Sequence, residues 1–335
     1  MYLIQIVLQV LLIECCVRLS LTEPDGVLKL ISENSYPSQL YKVTTGDGYI
    51  LSLHRIPNPA GHPVLLFPGL MSTAADFVVN DPEKSLGFIL YNLGYDVWLG
   101  NSRGTTFSRT HRYLDPDVDK EFWDFSWHEI GVQDLSASID AILGITGYNS
   151  LQYIGHSQGC TALMVLLAER PEYNAKIVSG HLMAPAVYMG NTRSPVFRLF
   201  ATFNPIIQDN IKNILQNYPG GTSAKQLDHF SQLVYSKNFA KFDYGVLKNW
   251  QKYGSKRPPE YSWSNIYCKM YIYYGTNDIL VVPEDVETLA IKLAKNLIQV
   301  HNIPNQQFSH LDFLWAKDVD ILVYRKLTQN LLQDF

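Results

Sequence analysis

The sequence lacks the features by which several large classes of protein are recognised. Charged residues make up only 17% of its 335 residues, the formal net charge is −4, and no run of basic residues is longer than two. Because nucleic-acid binding requires clustered Lys and Arg, nucleic acid is not an expected partner. With 47% hydrophobic residues, the chain should instead bury a substantial core and fold as a globular protein.

Apolar runs long enough to cross a bilayer are also missing, since a membrane-spanning helix needs about 18 such residues. Residues 2–13 are uncharged and mostly apolar, and Glu14 and Arg18 follow them. This pattern predicts a signal peptide over residues 1–20, a secreted protein and no integral membrane anchor in the mature chain. The lysosome is the alternative location, and an N-terminal core helix is the alternative interpretation of residues 1–20.

Cysteines and metal-binding patterns are scarce. Cleavage near residue 20 would remove Cys15 and Cys16 and leave Cys160 and Cys268, which we expect to be buried free thiols. There is no His-Glu-x-x-His motif and no glycine pattern of the dinucleotide or P-loop type. We therefore expect no metal and no cofactor. Asn-x-Ser/Thr sequons are absent, so N-glycosylation is not expected.

Short apolar or β-rich runs alternate with helical patterns along most of the chain. Because parallel strands that are buried on both faces form continuous apolar runs, this alternation predicts an α/β fold with a mostly parallel central sheet. Near the start, residues 46–48 are predicted to form a hairpin loop. The predicted strands are residues 41–45, 49–56, 64–67, 95–99, 151–154, 177–183, 270–274 and 297–303, and the predicted helices are residues 85–93, 133–143, 160–169, 286–294 and 319–327.

Residues 184–264 interrupt this alternation with helical pieces, loops and prolines. We interpret them as an insertion that forms a cap over the carboxyl edge of the sheet, while residues 21–183 and 265–335 form the core. One short amphipathic helix in the insertion would either pack on the core or contact lipid, and its pattern fits both roles equally. Its apolar residues are Ile207, Ile211, Ile214 and Leu215.

Residues 155–159, Gly-His-Ser-Gln-Gly, fit the pattern G-x-S-x-G and lie between a predicted strand and a predicted helix. A sharp strand-to-helix turn would expose the hydroxyl of Ser157, and the glycines on either side would let strand and helix approach closely. In this context the motif predicts a nucleophile. A glycine-rich loop with a capping serine is the alternative.

A serine nucleophile needs a basic histidine, and the histidine needs a carboxylate that fixes its tautomer. In hydrolases with an α/β sheet the acid follows the nucleophile along the chain and the histidine comes last. Asp278 lies at the carboxyl end of the predicted strand 270–274 and is the predicted acid. Glu284 and Asp285 are its rivals, but they fall in the first turn of the next helix, where acids are common.

His310 is the predicted histidine, because it lies in the loop after the last predicted strand. His301 lies within that strand and is expected to be a sheet residue. Acyl transfer also needs hydrogen-bond donors for the oxyanion. The backbone N–H groups of Gln158, next to the nucleophile, and of Leu70, in the loop after an earlier strand, are the predicted donors. A plain Pro-Gly turn is the alternative interpretation of the loop that contains Leu70.

With these residues in place, the chain resembles the acid lipase family, which includes gastric, lysosomal and insect lipases. Four segments carry the resemblance, which extends from about residue 25 to the C-terminus. They are Thr-Thr-Gly-Asp-Gly-Tyr-Ile-Leu at 44–51, Leu-Gly-Tyr-Asp-Val-Trp-Leu-Gly-Asn-Ser-Arg-Gly at 93–104, Phe-Trp-Asp-Phe-Ser-Trp-His-Glu at 122–129 and His-Leu-Asp-Phe-Leu-Trp at 310–315. The Trp-His-Glu at 127–129 looks most like the insect members.

The resemblance implies an α/β-hydrolase core under a helical cap, no cofactor, and hydrolysis of esters of long-chain fatty acids. It matches Ser157, Asp278 and His310 to the family's triad, and Leu70 and Gln158 to its oxyanion donors. The chain departs from the family at Pro68, where His is usual. Its lid is also shorter, which should open the site to smaller or more soluble esters.

We therefore predict a secreted lipase that hydrolyses the ester bonds of acylglycerols or related lipid esters by a Ser-His-Asp acyl-enzyme mechanism. Its expected partner is the lipid ester substrate, with a lipid–water interface as a further one. A steryl ester hydrolase or a general carboxylesterase is the alternative within the same class. A lipid-binding or storage protein with weak catalysis is the alternative in a different class.

Overall fold

The computed structural model describes residues 26–195 and 221–334. The predicted signal peptide at residues 1–20 and the predicted amphipathic helix around residues 207–215 lie outside the described residues. Within the described part, none of the helices combines the length and the apolar character that crossing a bilayer requires.

The described residues contain a nine-stranded sheet with the strand order β1-β2-β4-β3-β6-β7-β8-β9, and β5 pairs with β2 beside this path. The pairs that involve β2 are antiparallel, and the remaining pairs from β4 to β9 are parallel. The strands are β1 (Gln39–Thr44), β2 (Tyr49–Ile56), β3 (Pro63–Phe67), β4 (Asp96–Leu99), β5 (Thr110–His111), β6 (Leu151–His156), β7 (Ile177–Met183), β8 (Lys269–Tyr274) and β9 (Leu297–Asn302). The predicted mostly parallel α/β sheet is confirmed.

Nine α-helices, two of them with a π-helical stretch, accompany the sheet in the described residues, besides four short 3-10 helices at Ala74–Phe77, Lys120–Trp123, Pro171–Lys176 and Trp263–Asn265. Helix α3 consists of a short α-helical start, a π-helical stretch and an α-helical end, and α9 begins as a π-helix. The helices are α1 (Gly26–Glu33), α2 (Leu86–Asn92), α3 (Trp127–Glu129, Ile130–Leu135 and Ser136–Thr146), α4 (Gln158–Glu169), α5 (Ala224–Ser236), α6 (Val246–Tyr253), α7 (Pro283–Leu293), α8 (Asp312–Trp315) and α9 (Asp320–Tyr324 and Arg325–Leu332). The sequence patterns did not predict α1, α8 or the two-residue strand β5, and they gave no bounds for α5 and α6 within residues 184–264.

Both faces of the central strands are covered, which explains their continuous apolar runs. In β3, Leu65 and Phe67 belong to one hydrophobic cluster, and Val64 and Leu66 belong to the other. Alternate side chains of a strand point to opposite faces, so two separate cores lie on the two sides of the sheet. The edge strand β9 is different, because every second side chain along it is exposed.

The two cysteines of the described chain are buried, as expected, and neither forms a disulfide. Burial raises the pKa of the Cys160 thiol well above its usual range and that of Cys268 to about 12. Both thiols therefore stay protonated at neutral pH and pack as small apolar side chains.

Candidate active site

Ser157 occupies the sharp turn between β6 and α4. Its backbone has φ 54° and ψ −116°, a region that a residue with a Cβ rarely adopts. Two hydrogen bonds hold the turn, because the Ser157 N–H donates to the Met183 carbonyl at 2.9 Å and the Cys160 N–H donates to the Ser157 carbonyl at 3.0 Å. The strained turn lifts the hydroxyl above the end of the sheet.

The glycines of the motif are required by close packing. A Cβ on Gly159 would lie 2.4 Å from the carbonyl oxygen of Phe67 and 3.0 Å from that of Pro68. A Cβ on Gly155 would lie 2.9 Å from the backbone nitrogen of Cys160. Helix α4 can therefore start directly against the ends of β3 and β6 only because these two positions lack a side chain.

Three predicted site residues meet at the carboxyl end of the parallel strands. His310 Nε2 lies 2.9 Å from Ser157 Oγ, and His310 Nδ1 lies 2.7 Å from Asp278 Oδ2. All three side chains are buried. Since a carboxylate only accepts hydrogen bonds, Nδ1 of His310 carries the proton, and Nε2 is left to accept the proton of the serine hydroxyl.

Asp278 is itself held by backbone donors. Its Oδ1 accepts hydrogen bonds from the N–H groups of Leu280 at 2.8 Å and Val281 at 2.9 Å. One carboxylate oxygen is thus fixed by the loop after β8 and the other faces His310. This arrangement orients the carboxylate towards the imidazole of His310.

The rival acids bind other partners. Asp285 accepts hydrogen bonds from the backbone N–H and the side-chain amide of Asn191, and Glu284 forms an ion pair with Arg193 at 2.8 Å. Both lie in the first turn of α7, as the sequence predicted. They fasten the segment after β7 to the start of α7.

The two predicted oxyanion donors flank Ser157. Gln158 is the first residue of α4, and the leading N–H groups of a helix have no partner within the helix. Leu70 lies in the loop after β3, and a Cβ on its neighbour Gly69 would lie only 3.0 Å from Ser157 Cβ. Among the described residues, no protein atom accepts a hydrogen bond from the N–H of Leu70 or Gln158, so both are available to a ligand.

His156 is a site residue that the sequence analysis missed. Its side chain is 2% exposed, and its Nε2 lies 3.0 Å from the carbonyl oxygen of His310. Because a carbonyl only accepts, Nε2 of His156 carries the proton and donates. Burial, with a smaller effect of the neighbouring His310, lowers the pKa of His156 to about 3. A neutral histidine therefore fastens the loop of His310 to the serine turn.

Asn101 and Arg103, from the motif at 93–104, support the neighbouring loops. Asn101 Oδ1 accepts a hydrogen bond from the N–H of Ala74, just beyond the loop that contains Leu70. Arg103 is 1% exposed and pairs with Asp134 at 2.7 Å and with Asp47 at 2.6 Å. Burial alone would lower the pKa of Arg103, but the two carboxylates raise it above its ordinary value.

Outside the triad, the described part of the chain shows neither His301 near the serine turn nor a cluster of metal-ligating side chains. His301 lies in β9 opposite Tyr273, as expected of a sheet residue. In residues 26–195 and 221–334, no three His, Cys, Asp or Glu side chains are grouped so that they could hold a metal ion. The arrangement of serine, imidazole, carboxylate and two free N–H groups fits nucleophilic attack on a carbonyl carbon.

Comparisons with known proteins agree with this chemistry. Residues 27–81 match the family described as the partial alpha/beta-hydrolase lipase region, and residues 62–314 match the alpha/beta hydrolase fold. Lipase 1 of Drosophila melanogaster is 41% identical, with 91% of this chain and 79% of that protein covered. The gastric triacylglycerol lipase of Bos taurus is 35% identical, with 92% of this chain and 91% of that protein covered.

Solved structures agree at the level of the fold. An esterase from Pyrococcus furiosus has a TM-score of 0.55 at 17% identity, with 90% of this chain and 91% of that chain covered. An esterase from a Rhodococcus species has a TM-score of 0.52 at 13% identity, with 88% of this chain and 98% of that chain covered.

Proposed function

The chain belongs to the lipase family of α/β-hydrolases and is a serine ester hydrolase, and from this premise we propose that it hydrolyses acylglycerols through an acyl-enzyme on Ser157. The observation that carries the proposal is the hydrogen-bonded series from Ser157 through His310 to Asp278, with separations of 2.9 and 2.7 Å. These distances are within the range that proton transfer requires.

In the first half of the reaction, His310 Nε2 removes the proton from Ser157 as the oxygen attacks the ester carbonyl carbon. Asp278 keeps the imidazole in the correct tautomer and stabilises its cationic form. The carbonyl oxygen becomes an oxyanion, which accepts hydrogen bonds from the N–H groups of Leu70 and Gln158. His310 then gives its proton to the departing alcohol oxygen, and the acyl group remains on the serine.

In the second half, a water molecule takes the place of the alcohol. His310 removes a proton from the water as it attacks the acyl carbonyl, and the same two N–H groups stabilise the oxyanion again. The serine oxygen leaves with the proton from His310 and the fatty acid is released. The strained backbone of Ser157 is consistent with this role, because strain is often stored at catalytic turns.

The acylglycerol substrate is suggested by the similar proteins that are named gastric triacylglycerol lipases. We propose that residues 184–264 form a cap on a core made of the flanking residues, and that the substrate enters between them. The hydrogen bonds of Asn191 and Arg193 to the start of α7 support a fixed attachment of this cap beside the loop of Asp278.

We also propose that the protein acts outside the cell after removal of residues 1–20, with the lysosome as the alternative site. Expression of the full chain in insect cells tests this directly. We expect active protein in the medium with an N-terminus near residue 21, determined by mass spectrometry. Retention of residues 1–20 in the purified protein would contradict the proposal.

The activity is tested with purified protein on a series of esters, from short soluble esters to emulsified triacylglycerol, together with a steryl ester. We expect hydrolysis of the triacylglycerol, and a loss of about 10⁶-fold in Ser157→Ala. Ser138→Ala is the matched control, because that buried hydroxyl bonds within α3 to the Asp134 carbonyl and should leave the rate unchanged.

Other patterns in this series would contradict the proposal. Preference for short esters or for the steryl ester would replace the acylglycerol substrate. Tight binding of a fatty acyl ligand without turnover would favour a lipid-binding protein. Equal rates for Ser157→Ala and the unaltered protein would exclude Ser157 as the nucleophile.

A further inference from the structure

Residues 242–258 form an exposed segment, which we call the 242–258 lobe. Its two ends are fastened together, because Ala240 and Glu260 form an antiparallel bridge and the N–H of Lys241 donates to the Pro259 carbonyl at 2.9 Å. The chain therefore leaves the body of the protein and returns at the same place. Nearly all side chains between these ends are exposed or half-buried.

The lobe has an internal structure of its own, which is organised by Asn249. This side chain is 0% exposed and lies in α6. Its amide nitrogen donates to Asp243 Oδ1 at 2.7 Å and to the Lys256 carbonyl at 3.0 Å, and its amide oxygen accepts from the Tyr244 N–H at 3.0 Å. One buried polar side chain thus holds both ends of the helix, so the outward face of α6 has a fixed shape.

That outward face carries large apolar side chains. Val246, Leu247 and Trp250 are 55%, 80% and 52% exposed, and their spacing places them on one side of the helix. Isolated exposed apolar side chains are ordinary, but a cluster on one short helix marks an interaction surface. Trp is a common residue where protein meets a lipid headgroup layer.

The same lobe is strongly basic. Asp243 is the single acidic residue of the 242–258 lobe, which contains four Lys or Arg, although the whole chain has a net charge of −4. Four exposed cations lie in this stretch, and none of them forms an ion pair with any described residue. They are Lys248, Lys252, Lys256 and Arg257. A partner of the lobe should therefore combine apolar surface with negative charge.

We propose that the 242–258 lobe docks the protein onto a lipid–water interface that carries negative charge. Leu247 and Trp250 would enter the boundary between headgroups and acyl chains, and the lysines would contact the anionic groups. The charge complementarity rests on the proposed function, because the fatty acid released by hydrolysis ionises and makes a lipid surface negative. Docking would therefore strengthen as product accumulates. A second copy of the lobe is a poor partner, because it would bring like charges together.

Cosedimentation with vesicles tests the proposal, with the Ser157→Ala protein so that no lipid is consumed. The probes are phosphatidylcholine vesicles with and without oleate, at a pH where oleate is ionised. We expect stronger binding to the oleate vesicles. The double variant Leu247→Asn/Trp250→Gln should bind at least about 10-fold more weakly to them. The double variant Lys248→Gln/Lys252→Gln should lose about 10-fold on oleate vesicles and little on phosphatidylcholine alone.

Matched control variants show whether a loss of vesicle binding is specific to the lobe or follows from the loss of any exposed apolar or basic side chain. Ile291→Asn removes an apolar side chain that is 76% exposed on α7, and Lys295→Gln/Lys317→Gln removes two exposed cations elsewhere. Both control variants should bind as the unaltered protein does. Added salt should abolish the advantage of the oleate vesicles, because screening acts on exposed charges.

Two results would overturn the docking proposal. One is equal vesicle binding by the lobe variants and the control variants. The other is a change in oligomeric state on loss of Leu247 and Trp250, measured by light scattering, without any change in vesicle binding. Hydrolysis of a soluble short-chain ester is measured in parallel, in lobe variants that keep Ser157. Absence of triacylglycerol hydrolysis by the unaltered protein would refute the proposed function and leave the binding result standing.

Discussion

The candidate active site at the carboxyl ends of the parallel strands, which we call the rim and which consists of Ser157, Asp278 and His310, differs from the 242–258 lobe in exposure and in the way its side chains are held. At the rim, Ser157, Asp278 and His310 are 9%, 1% and 8% exposed, and each is held by hydrogen bonds from other segments. In the lobe, Leu247 is 80% exposed and makes its surface available to solvent. Proton transfer requires fixed groups and little water, whereas docking requires apolar area that is still exposed before binding.

The two regions also differ in how they are assembled. The rim brings together residues that are more than a hundred positions apart, since 153 positions separate Ser157 and His310. The lobe is one continuous segment that Asn249 organises by local hydrogen bonds. A change at the rim should therefore disturb several segments at once, whereas a change in the lobe should stay local. The following predictions test this difference, in order of expected size.

Among the variants that compare the two regions, the largest effect should come from Asp278→Asn. The amide cannot stabilise the imidazolium, and it allows the wrong tautomer of His310, so kcat for a soluble ester should fall by about 10⁴-fold. Asp243→Asn, in the lobe, removes a carboxylate of the same type and should leave kcat within about 2-fold. Both rates are measured on folded protein, verified by circular dichroism. A similar loss of kcat in the two variants would contradict the proposed functional difference between the rim and the lobe.

Acid should destabilise the body of the protein more than any single change in the lobe. Burial lowers the pKa of four histidines. The pKa falls to about 3 in His54, His156 and His181. In His229 it falls well below its ordinary value. The unfolded chain takes up these protons near pH 6.5 and the folded chain does not, so stability is present above pH 6.5 and is lost as pH falls below it.

Asp76 and Asp134 oppose this trend, because burial raises the pKa of each to about 6 and the folded chain then binds protons that the unfolded chain releases. With four strongly shifted histidines against two strongly shifted carboxyls, the free energy of unfolding should fall by about 2–4 kcal/mol between pH 7 and pH 5.5. Urea unfolding at several pH values measures it. The lobe contains no histidine, so binding to phosphatidylcholine vesicles without oleate should not share this dependence. A stability that rises towards pH 5.5 would contradict the assignment.

Glycine-to-alanine substitutions test how tightly the backbone is packed in each of the two regions. Gly159→Ala would place a Cβ 2.4 Å from the Phe67 carbonyl oxygen, so we expect a loss of about 2–3 kcal/mol in unfolding free energy together with most of the activity. In the lobe, Gly254→Ala meets nothing within 4 Å but has φ 66°, which should cost only about 1 kcal/mol.

Gly144→Ala is the control for this pair, because it lies in α3, meets nothing within 4 Å and has no left-handed backbone. It should stabilise the protein by about 0.5–1 kcal/mol. Urea midpoints of the three variants give the ranking. Equal losses at Gly159 and Gly254 would mean that the rim is no more tightly packed than the lobe.

His156→Leu should have a smaller effect that is specific to the rim. Loss of the hydrogen bond to the His310 carbonyl frees the histidine loop, so kcat should fall by about 10–30-fold with little change in KM. His156→Gln keeps an N–H donor and should recover part of the loss. The pH profile of kcat should shift in His156→Leu but not in a variant that is merely less stable, and an unchanged profile would limit His156 to a packing role.

The smallest effect on the whole molecule should come from Asn249→Ala. The variant removes three hydrogen bonds within the lobe, so amide hydrogen exchange in α6 should accelerate by about 10-fold or more. The urea midpoint and the hydrolysis of soluble esters should stay close to those of the unaltered protein. A large drop in global stability would show that the lobe is part of the main cooperative unit.

Much of the fold and of the candidate site could be predicted from the sequence. Apolar runs in β3, β6 and β7 predicted buried parallel strands, because both faces of these strands are covered. The G-x-S-x-G pattern and the chain order of acid and histidine predicted Ser157, Asp278 and His310 as a triad. These features depend on local periodicity and on the direction of a parallel sheet, which places all carboxyl strand ends at one edge.

Tertiary structure alone decided the rest. No local pattern indicates that the imidazole of His156 reaches the His310 carbonyl, that Asp134 neutralises the buried Arg103, or that Asn249 turns a polar segment into an ordered lobe. Each of these contacts joins groups whose proximity follows from packing and not from spacing along the chain. The linear order of residues determines which side chains an element offers, whereas the close packing of all elements determines which of them meet.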